Sequence, residues 1–196
     1  MKVIGITGGV GAGKSTVLSY MQEHIGACII EADKVGHLVM EPGQICYDQV
    51  IALFGEQIIK KDKTIDRKMI SDIVFANEIF LKKLNEIIHP AVRNYIINKI
   101  QQQQENGCPI VVVEAALLLE DHYDEFCDRI WYVHTEKEIR ISRLMKNRGY
   151  SREKAESIIA SQASEAFFMS HADYVIKNND DLKNTWQQIE EGIRQL

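Results

Sequence analysis

The stretch "GGVGAGKST", residues 8–16, decides the fold of this chain. It fits the pattern G-x-x-x-x-G-K-[ST], with Gly8, Gly13, Lys14 and Ser15 at the fixed positions. A short apolar run precedes it, and a helical pattern follows it. Glycines let backbone N–H groups turn around an anion, and the N-terminus of a helix adds a favourable field. The stretch therefore predicts a phosphate-binding loop (P-loop) for a nucleoside triphosphate.

Apolar runs predict five β-strands. The first covers residues 3–6 and the second 27–30, and three more lie within "PIVVVEA" (109–115), "RIWYVHT" (129–135) and "ADYVIKN" (172–178). Near-continuous β-branched runs are typical of strands that are covered on both faces. Because helical stretches separate them, we expect an α/β fold: a P-loop NTPase core with a five-stranded parallel sheet flanked by helices.

The chain between the second and third predicted strands looks wholly helical. Apolar residues recur at helical spacing from Tyr47 to Phe54 and again from Phe80, before Pro90 breaks or restarts the helix. A crossover between parallel strands needs far fewer residues. We therefore expect an inserted helical subdomain over 34–108.

Composition argues against several classes of protein. The formal charge is −5 with 23 basic residues, and a general nucleic-acid binder would usually carry a basic excess. No apolar run reaches membrane-spanning length, and the N-terminus lacks a signal-peptide pattern. The four cysteines are widely spaced, so free thiols are expected rather than a zinc site or a structural disulfide. We expect a cytoplasmic protein without nucleic-acid or membrane partners.

Several side chains are candidates for phosphoryl transfer. Lys14 is expected to reach the β- and γ-phosphates, and Ser15 to offer its hydroxyl to Mg²⁺. Asp33 follows the second strand, where it could accept a proton, hold water around Mg²⁺ or cap the next helix, and position alone leaves these roles open. Glu114 ends the third strand, where P-loop proteins often have an acid in the outer sphere of the metal. Arginines after the fourth strand, including Arg140 and Arg143, are candidates for contacts with phosphate oxygens.

The ordered set of motifs resembles the dephospho-coenzyme A (dephospho-CoA) kinase family along nearly the whole chain. It comprises "IGITGGVGAGKST" and "EAD" (31–33), "IDRKMISDIVF" (65–75) and "IHPAV" (88–92), then "LLLE" (117–120), "RLMKNRGYS" (143–151) and "ADYVIKN". The resemblance implies transfer of the γ-phosphate of ATP to the ribose 3′-hydroxyl of dephospho-CoA, the last step of coenzyme A (CoA) synthesis. It implies ATP with Mg²⁺ and no tightly bound organic cofactor.

The resemblance also implies three parts within a single domain, 1–196. The nucleotide core comprises 1–33, 109–139 and 171–196, the CoA-binding insert comprises 34–108, and a lid comprises 140–170. The chain is expected to be a monomer or a small homo-oligomer.

Site residues follow from the matched motifs. Asp33 is implied as the base, with Lys14, Arg140 and Arg143 as further catalytic residues. Asp33 is also implied in acceptor binding, with Arg67, His89, Leu117 and Glu120. The residues expected to bind ATP are Gly8, Gly9, Gly11, Ala12, Gly13, Lys14, Ser15, Thr16 and Asn178.

The chain departs from the family pattern in three places. The usual Pro-Leu-Leu-Phe-Glu segment is Ala-Leu-Leu-Leu-Glu at 116–120, and the first acid of the usual Asp-Ala-Asp run is Glu31. After Gln162, a stretch that is often basic reads "ASEAFFMSHAD" instead, so no catalytic arginine is assigned there.

Two alternatives compete with this interpretation. Another small-molecule or nucleotide kinase of the P-loop class is the first, although an adenylate-kinase-like chain would normally carry an Asp-Gly segment that is absent here. A GTP-binding switch is the second. The stretch "DKVG" (33–36) fits D-x-x-G, but it follows the second predicted strand rather than the third, and no guanine-reading Asn-Lys-x-Asp motif occurs.

Overall fold

Five strands form the sheet at the centre of the core. The computed structural model describes residues 1–179 and 181–196. The strands are β1 (Lys2–Thr7), β2 (Cys28–Glu31), β3 (Ile110–Glu114), β4 (Arg129–His134) and β5 (Tyr174–Lys177), in the order β2-β3-β1-β4-β5. β1 pairs in parallel with β3 and β4, and β4 pairs in parallel with β5. The predicted five-stranded parallel α/β sheet is confirmed.

Nine α-helices lie in the described residues. They are α1 (Lys14–His24), α2 (Ala32–Leu38), α3 (Tyr47–Phe54), α4 (Arg67–Ala76), α5 (Glu78–Glu105), α6 (Lys137–Arg148), α7 (Arg152–Ala160), α8 (Glu165–His171) and α9 (Leu182–Arg194). None of the helices described is both long and apolar enough to cross a membrane.

The described chain divides into two compact units. The first comprises Met1–Ile30 and Ile100–Leu196 and contains most of the sheet, and the second comprises Glu31–Lys99. The second unit is helical apart from short turns and one antiparallel bridge between Ile59 and Ile65. The domain boundaries expected from the sequence stay predictions.

The core of the first unit packs around the central strands. β3 and β4 are almost wholly buried, and Trp131 on β4 is the largest side chain with no appreciable exposure. Gly192 on α9 lies directly against that indole, since a Cβ at this position would come within 2.8 Å of the ring. This close contact holds α9 against the β4–β5 edge of the sheet, the edge that carries residues of the candidate site.

The prediction that Pro90 breaks or restarts a helix is wrong. Pro90 lies inside α5, which runs through 28 residues. A proline lacks one amide N–H and crowds the carbonyl four residues earlier, and this usually costs a helix interior about 3 kcal/mol. Buried residues lie on both sides of it, namely Leu84, Val92 and Ile96. We attribute the continuity of the helix to this packing, which offsets the local cost.

The expectation of four free thiols is also wrong. Cys28 and Cys108 form a disulfide with 6.7 Å between their α-carbons, whereas Cys46 and Cys127 are free. The two bridged residues are 80 positions apart in sequence. They meet because β2 and β3, which start at or near them, are neighbours in the sheet although a helical insert separates them in the chain.

Candidate active site

The P-loop connects β1 to α1 and has the backbone shape that its glycines permit. Gly8, Gly11 and Gly13 all have positive φ, at 152°, 77° and 89°. Side chains other than hydrogen are strained at such angles. The first intrahelical hydrogen bonds of α1 come from the amides of Thr16 and Val17 to the carbonyl of Gly13. The amides of the preceding residues are therefore oriented at a helix N-terminus, where an anion binds favourably.

Lys14, the first residue of α1, folds back over this loop. Its Nζ donates to the carbonyl of Gly8 at 2.8 Å and lies 3.4 Å from Oε1 of Glu114. Both side chains are largely buried, with 15% and 10% of their surface exposed. Because Glu114 ends β3, next to β1 in the sheet, the fold brings a cation and an anion together beside the loop. Lys14 and Glu114 thus lie together, although no prediction paired them.

Arg140 and Arg143 on α6 both bind the loop through its carbonyl groups. Arg140 Nε donates to the oxygen of Val10 at 2.8 Å, and Arg143 Nη1 donates to the oxygen of Ala12 at 3.3 Å. Burial lowers the pKa of the Arg140 guanidinium, although nearby acidic groups partly oppose that shift. An arginine still keeps its charge at neutral pH. Two positive charges therefore lie next to the loop, where phosphates would increase the local negative charge.

Two further side chains donate hydrogen bonds to the carbonyl of Ala12. Thr135 Oγ1 lies 2.9 Å from it and Asn178 Nδ2 lies 2.8 Å from it. Asn178 is buried, and its Oδ1 accepts from Thr185 Oγ1 at 3.0 Å. A Cβ on Gly13 would overlap the Asn178 amide, so this close packing also requires glycine. The side chain of Asn178 thus supports the loop, and its predicted position near the adenine stays a prediction.

Three supporting residues were missed in the sequence. Thr135, Gln162 and Thr185 all hydrogen-bond to the loop or to residues that hold it. They are polar residues without a local pattern, and only the fold brings Thr135 and Gln162 to the loop and Thr185 to Asn178. The position of Thr135 directly after β4 was the one available signal, since ligands bind beyond the carboxyl ends of parallel strands.

Asp33 lies in the first turn of α2 and is exposed. The capping role left open for it is wrong, because α2 already begins at Ala32 and its N-cap position is Glu31. The side chain of Glu31 accepts a hydrogen bond from Lys34 Nζ at 2.6 Å instead. An exposed carboxylate without a capping function is suited to accept a proton from a substrate, and that role stays a prediction.

The residues expected to bind the acceptor lie in both units. In the second unit, Arg67 is the exposed first residue of α4, and His89 lines an open depression of about 570 Å³ on α5 with Leu81 and Asn85. In the first unit, Leu117 and Glu120 are exposed in the segment after β3. Their assembly into one acceptor site stays a prediction.

Oxygen ligands for a magnesium ion are present at the loop. The Ser15 hydroxyl is exposed in the first turn of α1, and the Glu114 carboxylate lies beside Lys14. Hard oxygen donors of this kind fit Mg²⁺, which usually keeps several waters and binds through substrate phosphates. Among the described residues, no group of three or more His, Cys, Asp or Glu side chains is arranged to hold a metal on its own.

Comparisons with known proteins agree along the whole chain. The profile of the dephospho-CoA kinase family matches residues 2–184. A dephospho-CoA kinase of Oceanobacillus iheyensis is 38% identical over 98% of this chain and 96% of its own length. A crystal structure from Thermus thermophilus (TM-score 0.84, 26% identity) and a dephospho-CoA kinase from Campylobacter jejuni (TM-score 0.75, 27% identity) each cover all of this chain and 97% of their own. The chain therefore belongs to the dephospho-CoA kinase family.

Proposed function

We propose that this chain transfers the γ-phosphate of ATP to the ribose 3′-hydroxyl of dephospho-CoA, giving CoA and ADP. The observation that carries the proposal is the P-loop with Lys14 folded across it, in a chain that belongs to this family over nearly its full length. The 3′-oxygen forms a new bond to the γ-phosphorus, the bond from that phosphorus to the β–γ bridging oxygen breaks, and ADP leaves with that oxygen.

The loop binds the triphosphate. Its helix-terminal amides and those of Gly11 and Gly13 bind phosphate oxygens, while Lys14 moves from the Gly8 carbonyl towards the β- and γ-phosphates. Arg140 and Arg143 add positive charge near the equatorial oxygens of the moving group. The remaining nucleotide contacts are proposed for Gly8, Gly9, Ala12, Ser15, Thr16 and Asn178.

Asp33 accepts the proton that leaves the attacking hydroxyl, because its carboxylate is exposed and is not used in capping. Ser15 and Glu114 are the residues that would hold Mg²⁺ or its waters, and the ion when bound offsets charge on the β- and γ-phosphate oxygens. Acceptor specificity is assigned to Arg67, His89, Leu117 and Glu120. A lid over 140–170, a cytoplasmic location, and a monomer or small homo-oligomer complete the proposal.

The experiment offers ATP, MgCl₂ and dephospho-CoA to the purified chain and identifies the product by mass spectrometry and by its 3′-phosphate. Adenosine monophosphate, gluconate and shikimate serve as competing acceptors. Formation of CoA with the highest kcat/KM among these acceptors supports the proposal. A higher kcat/KM for another acceptor would favour the alternative P-loop kinase, and GTP hydrolysis without phosphoryl transfer would favour the switch.

A further inference from the structure

The segment between α7 and α8 reaches the P-loop through the side chain of Gln162. Its Oε1 accepts two hydrogen bonds, from the amide of Val10 at 3.0 Å and from Arg140 Nη2 at 2.6 Å. Arg140 in turn donates through Nε to the carbonyl of Val10 at 2.8 Å. Both backbone polar groups of Val10 are therefore held by one pair of side chains.

The same pair also fixes the position of the Arg140 guanidinium. The guanidinium lies so close to Gly9 that a Cβ there would overlap it. The Arg140 guanidinium is partly buried, and Gln162 supplies one acceptor for its N–H groups while Val10 supplies another. Loss of the Gln162 oxygen would leave a half-buried cation with fewer bonds and the Val10 amide without its acceptor.

Packing of the residues that directly follow Gln162 in the chain holds its segment in place. Ser164 caps α8 by accepting from the amide of Phe167, and Phe168 stacks on Tyr132 of β4 with ring centroids 5.1 Å apart. Phe168 is almost fully buried. Residues 163–173, where the chain departs from the basic family pattern, thus hold the neighbouring Gln162 next to the loop.

We propose that Gln162 is a positioning residue for ATP, which sets the conformation of Val10 and the direction of Arg140 before the nucleotide binds. The inference rests on the proposed ATP site at the P-loop. Gln162 acts through Val10 and Arg140, which both lie at the proposed ATP site. Its loss therefore weakens ATP binding without changing the affinity for the acceptor.

The test compares two variants with the wild type by isothermal titration with ATP and MgCl₂ in the absence of any acceptor. Gln162→Met keeps the length of the side chain and removes its acceptor oxygen, and we expect its Kd for ATP to rise about tenfold, the scale for a lost hydrogen bond to a charged group. Gln162→Asn keeps the amide but shortens its reach, so its Kd should rise similarly. Wild-type Gln162 is the reference for both variants.

Gln104→Leu on the exposed face of α5 is the matched control, and it should bind ATP like the wild type. Steady-state kinetics then separate positioning from a general structural role, since KM for ATP should rise while KM for dephospho-CoA stays within about twofold. A Met variant with wild-type ATP affinity overturns the inference. If Met does not fold, the Asn variant decides the question in the same way, because wild-type ATP affinity in Asn also overturns the inference. Failure of the wild type to bind ATP would instead overturn the proposed function.

Discussion

Lys14 and Glu114 form a largely buried ion pair with 3.4 Å between Nζ and Oε1, at the junction of the P-loop and the end of β3. Removal of one partner from such a pair leaves a largely buried charge without its counter-ion, which is destabilising. The pair joins the residue predicted to bind phosphates to the one predicted to lie in the outer sphere of the metal. Substitution of each partner should therefore affect a different step.

Lys14→Ala should abolish turnover, lowering kcat by at least about 10²-fold, because it removes the positive charge that stabilises the negative charge developing on the phosphates. Coupled detection of ADP measures the loss. The exposed Lys61→Ala is the control and should retain full activity. Near-normal turnover of Lys14→Ala would contradict the assigned role of the loop.

Glu114→Gln should mainly raise the Mg²⁺ concentration needed for half-maximal activity, by roughly tenfold, because it removes a charged oxygen that we propose for the outer sphere of the ion. A titration of activity with MgCl₂ measures this shift, with the exposed Glu23→Gln as the control. An unchanged Mg²⁺ dependence together with a lower melting temperature would restrict Glu114 to a structural role.

Asp33→Asn should leave the Kd for ATP unchanged and lower kcat by about 10²-fold or more, the usual scale for loss of a general base. Calorimetry and turnover assays measure the two quantities separately. Asp48→Asn is a closely matched control, because Asp48 is also an exposed acid in the first turn of a helix in the second unit. Equal effects of the two substitutions would argue against a catalytic carboxylate at Asp33.

Arg67→Ala should raise KM for dephospho-CoA by about tenfold, as expected for loss of a charged hydrogen bond, with little change in KM for ATP. Initial rates over a matrix of both substrate concentrations distinguish the two effects. The adjacent exposed Lys68→Ala is the control. A change confined to the KM for ATP would disprove the placement of Arg67 at the acceptor.

Reduction of the Cys28–Cys108 disulfide should lower the free energy of unfolding by about 2–4 kcal/mol, because the bridge closes a long loop in the unfolded chain. The corresponding fall in the melting temperature is roughly 5–15 °C. Differential scanning calorimetry with and without dithiothreitol measures it. Cys28→Ala should melt like the reduced wild type and show no further response to the reductant.

Short sequence patterns predicted the parts of the fold that depend on residues close together in the chain. The P-loop, the helix after it and the five apolar strands follow from glycine placement and β-branched runs within short windows. The donors to the Ala12 carbonyl come from residues more than 100 positions away, so no short stretch of sequence contains both the carbonyl and its donors. Pro90 within α5 and the Cys28–Cys108 bridge were wrongly predicted for the same reason, since tertiary packing and sheet order decide them.

The sheet order has a consequence for synthesis on the ribosome. β1 and the loop after it emerge first, but both neighbours of β1 in the sheet, β3 and β4, lie beyond residue 109. The carbonyl of Ala12 obtains its Asn178 donor only when β5 has been made. A nascent chain that stops before β5 would therefore lack a completed phosphate cradle, and nucleotide would be able to stabilise the kinase only near the end of translation.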